Sequence, residues 1–352
     1  MTPGAWLRPW WWVRLRSASP REWVWRATPK ASPTPLCDGP APCWPWRPPS
    51  PPEPAVPLAL FTRPKGRWQA RWTDDPKPTW DAHRLWSLLG GDPDVQRANV
   101  DRWWRAQQGP SLLWASSHAV ASRLPALVAA GHRPAVWAHA DHLHRHPSLH
   151  TSAGNHRVAE LAALWLVRAA MPDAPWPCDE LPDVLHAQLH PDGWPREQSL
   201  AYLAHILEWG ALALRCTPTH RPLAATLSRG LDALLTVLSD RGHAPSIGDD
   251  GGDEVLPGDG AYIPDVAGCV AQLLGRGGPA GWRPGRRARW LGADGPVIEA
   301  EPAPSTTFPH GGLTHLRSPR GQLLFDHGPV GMAPLAAHGH ADALAVWLAV
   351  DG

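Results

Sequence analysis

SLAYLAHILEWGALALRC (residues 199–216), then PLAATLSRGLDALLTVLSD (222–240), decides the fold. In both runs apolar residues recur three and four apart, the spacing that puts them on one face of an α-helix. Pro218 and the polar residues around it break the pattern between them, so the stretch predicts two helices in hairpin succession. Working outward, the same period returns toward the N-terminus in WDAHRLWSLLGG (80–91), DVQRANVDRWWRAQQ (94–108), HAVASRLPALVAAGH (118–132), NHRVAELAALWLVRAAMP (155–172) and CDELPDVLHAQL (178–189). Toward the C-terminus it returns in YIPDVAGCVAQLLG (262–275). About eight helices in a row, with no strand signal between them, form a bundle, a solenoid or a closed α/α toroid.

Near residue 297 the period changes. VIEAEP (297–302), GGLTHLRS (311–318), GQLLFDHG (321–328) and ALAVWLAV (343–350) are short, rich in β-formers and bounded by Gly or Pro. They read as strands of an antiparallel sheet. A few strands make a poor independent domain, so the sheet is expected to be completed by segments outside this chain. The fold class expected is therefore α+β and multidomain. Residues 80–292 form the helical domain and 293–352 the start of a sheet domain. Residues 1–79 hold a basic, aromatic stretch predicted helical from about Ser19-Pro20, followed over 31–57 by a Pro-rich segment that sustains neither helix nor sheet interior.

Composition narrows the function. The 352 residues are 43% apolar, enough for a substantial core, yet no run reaches the ~20 apolar residues of a membrane span. A formal charge of +1 gives no footprint for sequence-blind nucleic-acid binding. Five cysteines at irregular spacing, without a CxxC pair, indicate neither a zinc ribbon nor a disulfide framework. The N-terminus has no clean apolar stretch leading to a small-residue cleavage site. Trp occurs 23 times against two Tyr and three Phe. Such rings either stack on sugars or fill the core.

Three clusters can carry chemistry. Asn155-His156 opens a helix that runs through Glu160, where Asn155 serves equally well as an N-cap. HPDGWPREQSLAY, 190–202, combines a good turn at His190 to Gly193 with Glu197 and with Tyr202 on an apolar helix. In HGHAD, 338–342, His338, His340 and Asp342 alternate, so a strand would show them on one face, as two His and a carboxylate suited to zinc or another transition metal.

The order of these motifs resembles the heparinase II/III-like polysaccharide lyases. SAGNHRVAELAALWL (152–166) is similar to their Asn-His helix, and LHPDGWPREQSLAYLAHILE (189–208) to their D-G-x-x-x-E-x-S-x-x-Y segment. GHAPSIGDDGGDEVLPG (242–258) resembles their P-x-I-G-D-x-D-x-G turn with one residue fewer. LLFDHGPVGMAPLAAHGHADALAVWLAVDG (323–352) resembles the approach to their β domain, and VRLRSASPREWVWR (13–26) the opening segment of bacterial members linked to exopolysaccharide clusters.

The resemblance implies an incomplete N-terminal (α/α) toroid followed by the start of an antiparallel β-sandwich domain. It implies a periplasmic or envelope setting and an acidic, uronate-containing polysaccharide as partner, cleaved by β-elimination. Asn155 and His156 would then sit at the sugar carboxylate, Tyr202 would be the catalytic acid, and His338 would join the catalytic site. Glu160, Glu197 and Trp194 are expected to bind substrate, and His340 a structural zinc whose other ligands lie beyond residue 352. Three other chemistries stay open on the residues alone. One is a glycoside hydrolase using a pair among Asp192, Glu197, Asp249 and Asp250. Another is a metal hydrolase on His338 and His340. The third is a glycan-binding homologue without turnover.

Overall fold

The computed structural model describes residues 19–20, 39–46, 58–61, 77–89, 92–109, 111–150, 153–250, 254–333, 336–340 and 342–350. The helix expected onward from Ser19-Pro20 lies outside the described residues past position 20. Described residues 39–46 of the Pro-rich segment form an irregular wrap against the helices. The Cys43 N–H donates to the Ala170 carbonyl and the Trp46 indole N–H to that of Trp290.

The helices are α1 (Lys77–Ala82), α2 (Pro93–Ala106), α3 (Ser117–Ala129), α4 (Arg133–Arg145), α5 (Gly154–Ala170), α6 (Leu181–Ala187), α7 (Leu200–Cys216), α8 (Arg221–Val237), α9 (Tyr262–Leu273) and α10 (Arg286–Leu291). They form two layers. α3, α5, α7 and α9 pack side by side in that order as the inner layer. Outside them α4 lies on α3 and α5, α6 on α5 and α8, and α8 on α7 and α9. The sequence explains the layering. In α7 every residue from Leu203 to Leu214 is buried, so this helix is apolar all round. In α8 the buried set Leu223, Leu227, Gly230, Leu231, Leu234 and Val237 keeps to one stripe, which leaves a polar face for water.

Two helices escape the sequence pattern. α4, RPAVWAHADHLHR, carries three His and a low apolar content, and its start is marked by His132, whose ring nitrogen accepts from the Ala135 N–H, with Pro134 in the first turn. α10 is a short turn of arginines, RRARWL. The expected helix over 80–91 instead splits into α1 and a 3-10 turn at Trp86–Leu88, because Leu85 adopts a left-handed φ of 71°.

The sheet is an antiparallel meander in the order β1 (Thr306–Phe308), β2 (Leu313–Ser318), β3 (Gly321–Asp326), β4 (Val346–Val350). VIEAEP is not a strand: only Glu299 makes a β-bridge, with Gly278. The register pairs His315 with Leu324 and Leu324 with Trp347. Leu313, His315, Gln322, Leu324 and Asp326 of that face are buried, and Gln322 donates its amide to the Val237 carbonyl. The opposite face leaves Leu316, Val346, Leu348 and Val350 exposed.

Two buried polar groups organise the core. Arg287, fully buried, donates to Glu208 at 2.8 Å, to Glu254 at 2.5 Å and to Asp265. Glu208, also fully buried, accepts in addition from the Val255 and Leu256 N–H groups and the Tyr262 hydroxyl, each at 2.9 Å. This ties α7, α9 and α10 together. In the α2–α3–α4 sector, Trp103, Trp104 and Trp114 enclose His139 and Arg123. Burial pushes the Arg123 guanidinium down to about 9. Burial, and then the charge of Arg123, lower His83 to about 4 and His139 well below its ordinary value.

Two predictions follow from these networks. Arg287→Ala strands a buried Glu208 carboxylate and should cost about 3–5 kcal/mol in urea unfolding; a loss below ~1 kcal/mol would refute its role. His83 and His139 are held neutral in the folded state but charge in the unfolded one below about pH 6.5, so the unfolded state binds more protons as pH falls. Stability should be flat above neutrality and fall by about 1.4 kcal/mol per group per pH unit from 6.5 toward 4. Denaturant titrations at pH 7.5 and 5 that gave the same midpoint would contradict this.

Candidate active site

The inner helices present their first turns to one another and to the loop that leads into β4. α5 starts at Gly154, with Ala153 as its cap and no side-chain cap bond, so Asn155 does not cap it. Instead Asn155 is buried against Glu197. Its amide nitrogen stands 3.0 and 2.9 Å from the two Glu197 oxygens, and its backbone N–H donates to one of them at 3.1 Å. Gly154 must lack a side chain because a Cβ there would run into the same carboxylate.

α7 starts after Ser199, whose hydroxyl oxygen accepts the Tyr202 N–H while its O–H donates to the Asp249 carbonyl at 2.7 Å. The half-buried Tyr202 ring lies 4.0 Å, centroid to centroid, from that of His338. The His338 Nδ1 is 2.9 Å from an Asp249 carboxylate oxygen. A carboxylate only accepts, so Nδ1 carries a proton, and in the neutral ring Nε2 holds the lone pair. His340 pairs with the other Asp249 oxygen. Residues 248–249 and 338–342 are also zipped by backbone: Asp249 N–H to His338 carbonyl at 2.8 Å, and Gly248 N–H to Asp342 carboxylate at 2.7 Å. Gly248, at φ 68°, has no room for a Cβ, which would meet the Gln198 carbonyl at 2.5 Å and the His338 carbonyl at 2.6 Å.

The expected strand geometry of the H-x-H segment is overturned. β4 begins only at Val346, and both His338 (φ 68°) and His340 (φ 50°) are left-handed, a conformation non-glycine residues rarely adopt. They converge by folding the loop around Asp249, not by sharing a strand face. Among the described residues no group of three or more His, Cys, Asp or Glu is placed to hold a metal ion. His340 and Asp249 supply two donors, short of the four of a structural zinc. Zinc at His340 would need ligands from outside the described residues.

Two further expectations are corrected, and Glu197 is placed beside them. Glu160 is fully buried, and its two oxygens accept the Ser148 N–H at 3.1 and 3.0 Å, so it braces the loop before α5 and has no surface for a sugar. Trp194 is 1% exposed, donates to Gln198 and packs on Phe308; the ring is core, as are Trp103, Trp114 and Trp209. Glu197, 5% exposed, is hydrogen-bonded to Asn155 through both its oxygens.

The sequence reading missed two histidines. His156 stacks on His118 of α3, with ring centroids 4.9 Å apart and planes 30° apart. The His118 Nε2 is 3.0 Å from the Nε2 of His205 on α7, which also receives the Trp209 indole N–H at 3.2 Å. His205 follows Tyr202 by three residues, a visible same-face spacing, whereas nothing in the sequence around His118 links it to residues 156 and 205. Asp249 had been considered as a hydrolase acid; the structure makes it the partner of His338.

Comparison with known proteins comes from two sides. Residues 300–352 match the family model described as heparinase II/III-like, C-terminal. A sequence search of curated proteins gives no significant match. Among solved structures, the chain is similar to a heparan sulfate lyase HepC mutant from Pedobacter heparinus at 18% identity and a TM-score of 0.51, covering 81% of this chain and 49% of that one. It is also similar to Heparinase III at 14% identity and a TM-score of 0.52, covering 82% and 52%. The chain thus spans about half the length of the structures it matches, and at these identities the likeness is one of fold. Residues 300–352 thus match the C-terminal heparinase II/III-like model, and about four fifths of the chain shares the helices-then-sheet fold of these structures.

Proposed function

We propose that the chain carries the site of a polysaccharide lyase that cleaves a uronate-containing polymer by β-elimination. The observation that supports this most is the contact of Tyr202 with an Asp249-oriented His338, beside helix starts that carry Asn155 and His156. Elimination removes the proton at C5, next to the sugar carboxylate, and expels the 4-oxygen. The C5 proton is barely acidic while the carboxylate keeps its full charge, so donors must take up the charge that develops on it. An amide has two N–H bonds. The one aimed at Glu197 fixes the Asn155 plane, and the other is left for the substrate carboxylate. His156 adds a second donor, and a cationic one when protonated.

Acid and base come from the facing pair. Tyrosine, with an ordinary pKa of ~10, keeps its proton at neutral pH and can pass it to the leaving oxygen. His338, with Nδ1–H held by Asp249, offers Nε2 as the base. When C5 and the leaving oxygen lie on the same side, Tyr202 can take both parts only from its ionised form, accepting the C5 proton and then passing it to the leaving oxygen. No step needs the zinc expected at His340, and His340 itself holds the loop by pairing with Asp249.

Incubation with a panel of uronate polymers should generate an unsaturated sugar, seen as rising ultraviolet absorbance; products that gained water without that absorbance would point to a hydrolase. Tyr202→Phe should lower kcat by about 10²–10⁴-fold and leave oligosaccharide affinity within about twofold. Unchanged turnover in that variant would remove Tyr202 from the chemistry.

A further inference from the structure

We infer that His118 is a positioning residue for His156, holding its imidazole by stacking and held in turn through His205 by the indole of Trp209. The inference rests on the reading of His156 as a group that meets the substrate carboxylate. Three consecutive inner helices, α3, α5 and α7, each send one imidazole to a single point: His118, His156 and His205. An arrangement from three elements is not produced by one helix's periodicity, and none of the three lies in the Tyr202–His338 pair.

Proton placement gives the cluster a direction. An indole nitrogen is only a donor, so the His205 Nε2 facing Trp209 at 3.2 Å is a lone pair. The His118 Nε2 is 3.0 Å from that same nitrogen and, when it carries the proton, shares the single lone pair with the indole. This fixes the His118 ring plane, since both its partner and the indole behind it are buried, at 1% and 0% exposure. The fixed plane is the one on which the His156 ring lies, 30° from parallel. Stacking on that ring adds to what holds the His156 imidazole in place, and misplacement of a reacting partner by about 1 Å can cost ~10²-fold in rate.

The test uses the intact chain with wild type, His118→Ala, His118→Phe and Trp209→Phe, each checked for an unchanged melting profile. Imidazole nitrogen NMR, with His156 assigned from His156→Gln, reports the ring directly. His118→Ala should shift and broaden the His156 signals, and His118→Phe, which keeps a ring to stack on, should restore them in part. Trp209→Phe should alter the His118 tautomer signals, and it serves should His118→Ala fail to fold. In turnover on the polymer that proves active, His118→Ala should lose tenfold or more in kcat with KM changed less than threefold, and His118→Phe should recover part of the loss. His156 signals identical in wild type and His118→Ala overturn the inference, whatever the activity. A wild type inert on every uronate polymer, whose His156 still responds to His118, refutes the lyase reading and leaves the positioning intact.

Discussion

The bond between Glu197 and Asn155 is the constraint on which the candidate site depends. It joins the first turn of α5 to the segment that leads into α7, inside the protein, where neither partner exchanges it for water. The inner helices run in one direction because each is followed by an outer helix that returns the chain. Their first turns therefore share a rim. There side chains cap the first-turn N–H groups, Ala119 by Ser116, Asn155 by Glu197 and Tyr202 by Ser199. Glu197 lies at that rim yet turns both oxygens to Asn155, so its charge is spent on orienting an amide.

The sheet completes this rim from outside. Asp192, in the loop before α7, accepts the backbone N–H groups of His310 and Gly311 at 2.7 and 2.9 Å, and Trp194 packs on Phe308. With the sheet anchored there, the loop between β3 and β4 reaches back to Gly248 and Asp249 and delivers His338 to Tyr202. The left-handed φ values at His338 and His340 are the strain of that delivery, of order 1–3 kcal/mol each, and they persist because Asp249 and the backbone bonds hold them.

Much of this was legible in the sequence. The period of 3–4 in 199–240 and its neighbours fixed the inner helices, because a helix buried on all sides needs a long apolar run. The outer α4 was hidden because one buried stripe suffices for it, and polar His139 and His142 occupy that stripe. Alternation in 338–342 suggested a strand, since residue spacing carries no information on φ, and only the Asp249 contact shows why both histidines face one carboxylate. The buried Trp residues were ambiguous for a related reason: a ring that suits a sugar suits a core, and only exposure separates the two. His118 could not be found at all from spacing, because its partners lie on two other helices.

The carboxylates near this rim are committed to protein partners. A glycoside hydrolase needs two carboxyl groups that both reach the scissile bond. Here Asp192 is occupied by three backbone N–H groups, those of Trp194, His310 and Gly311. Glu197 is occupied by Asn155, and Asp249 by two histidines. Of the four acids that the sequence offered, only the exposed Asp250 carries no such commitment here, and one acid is not a pair.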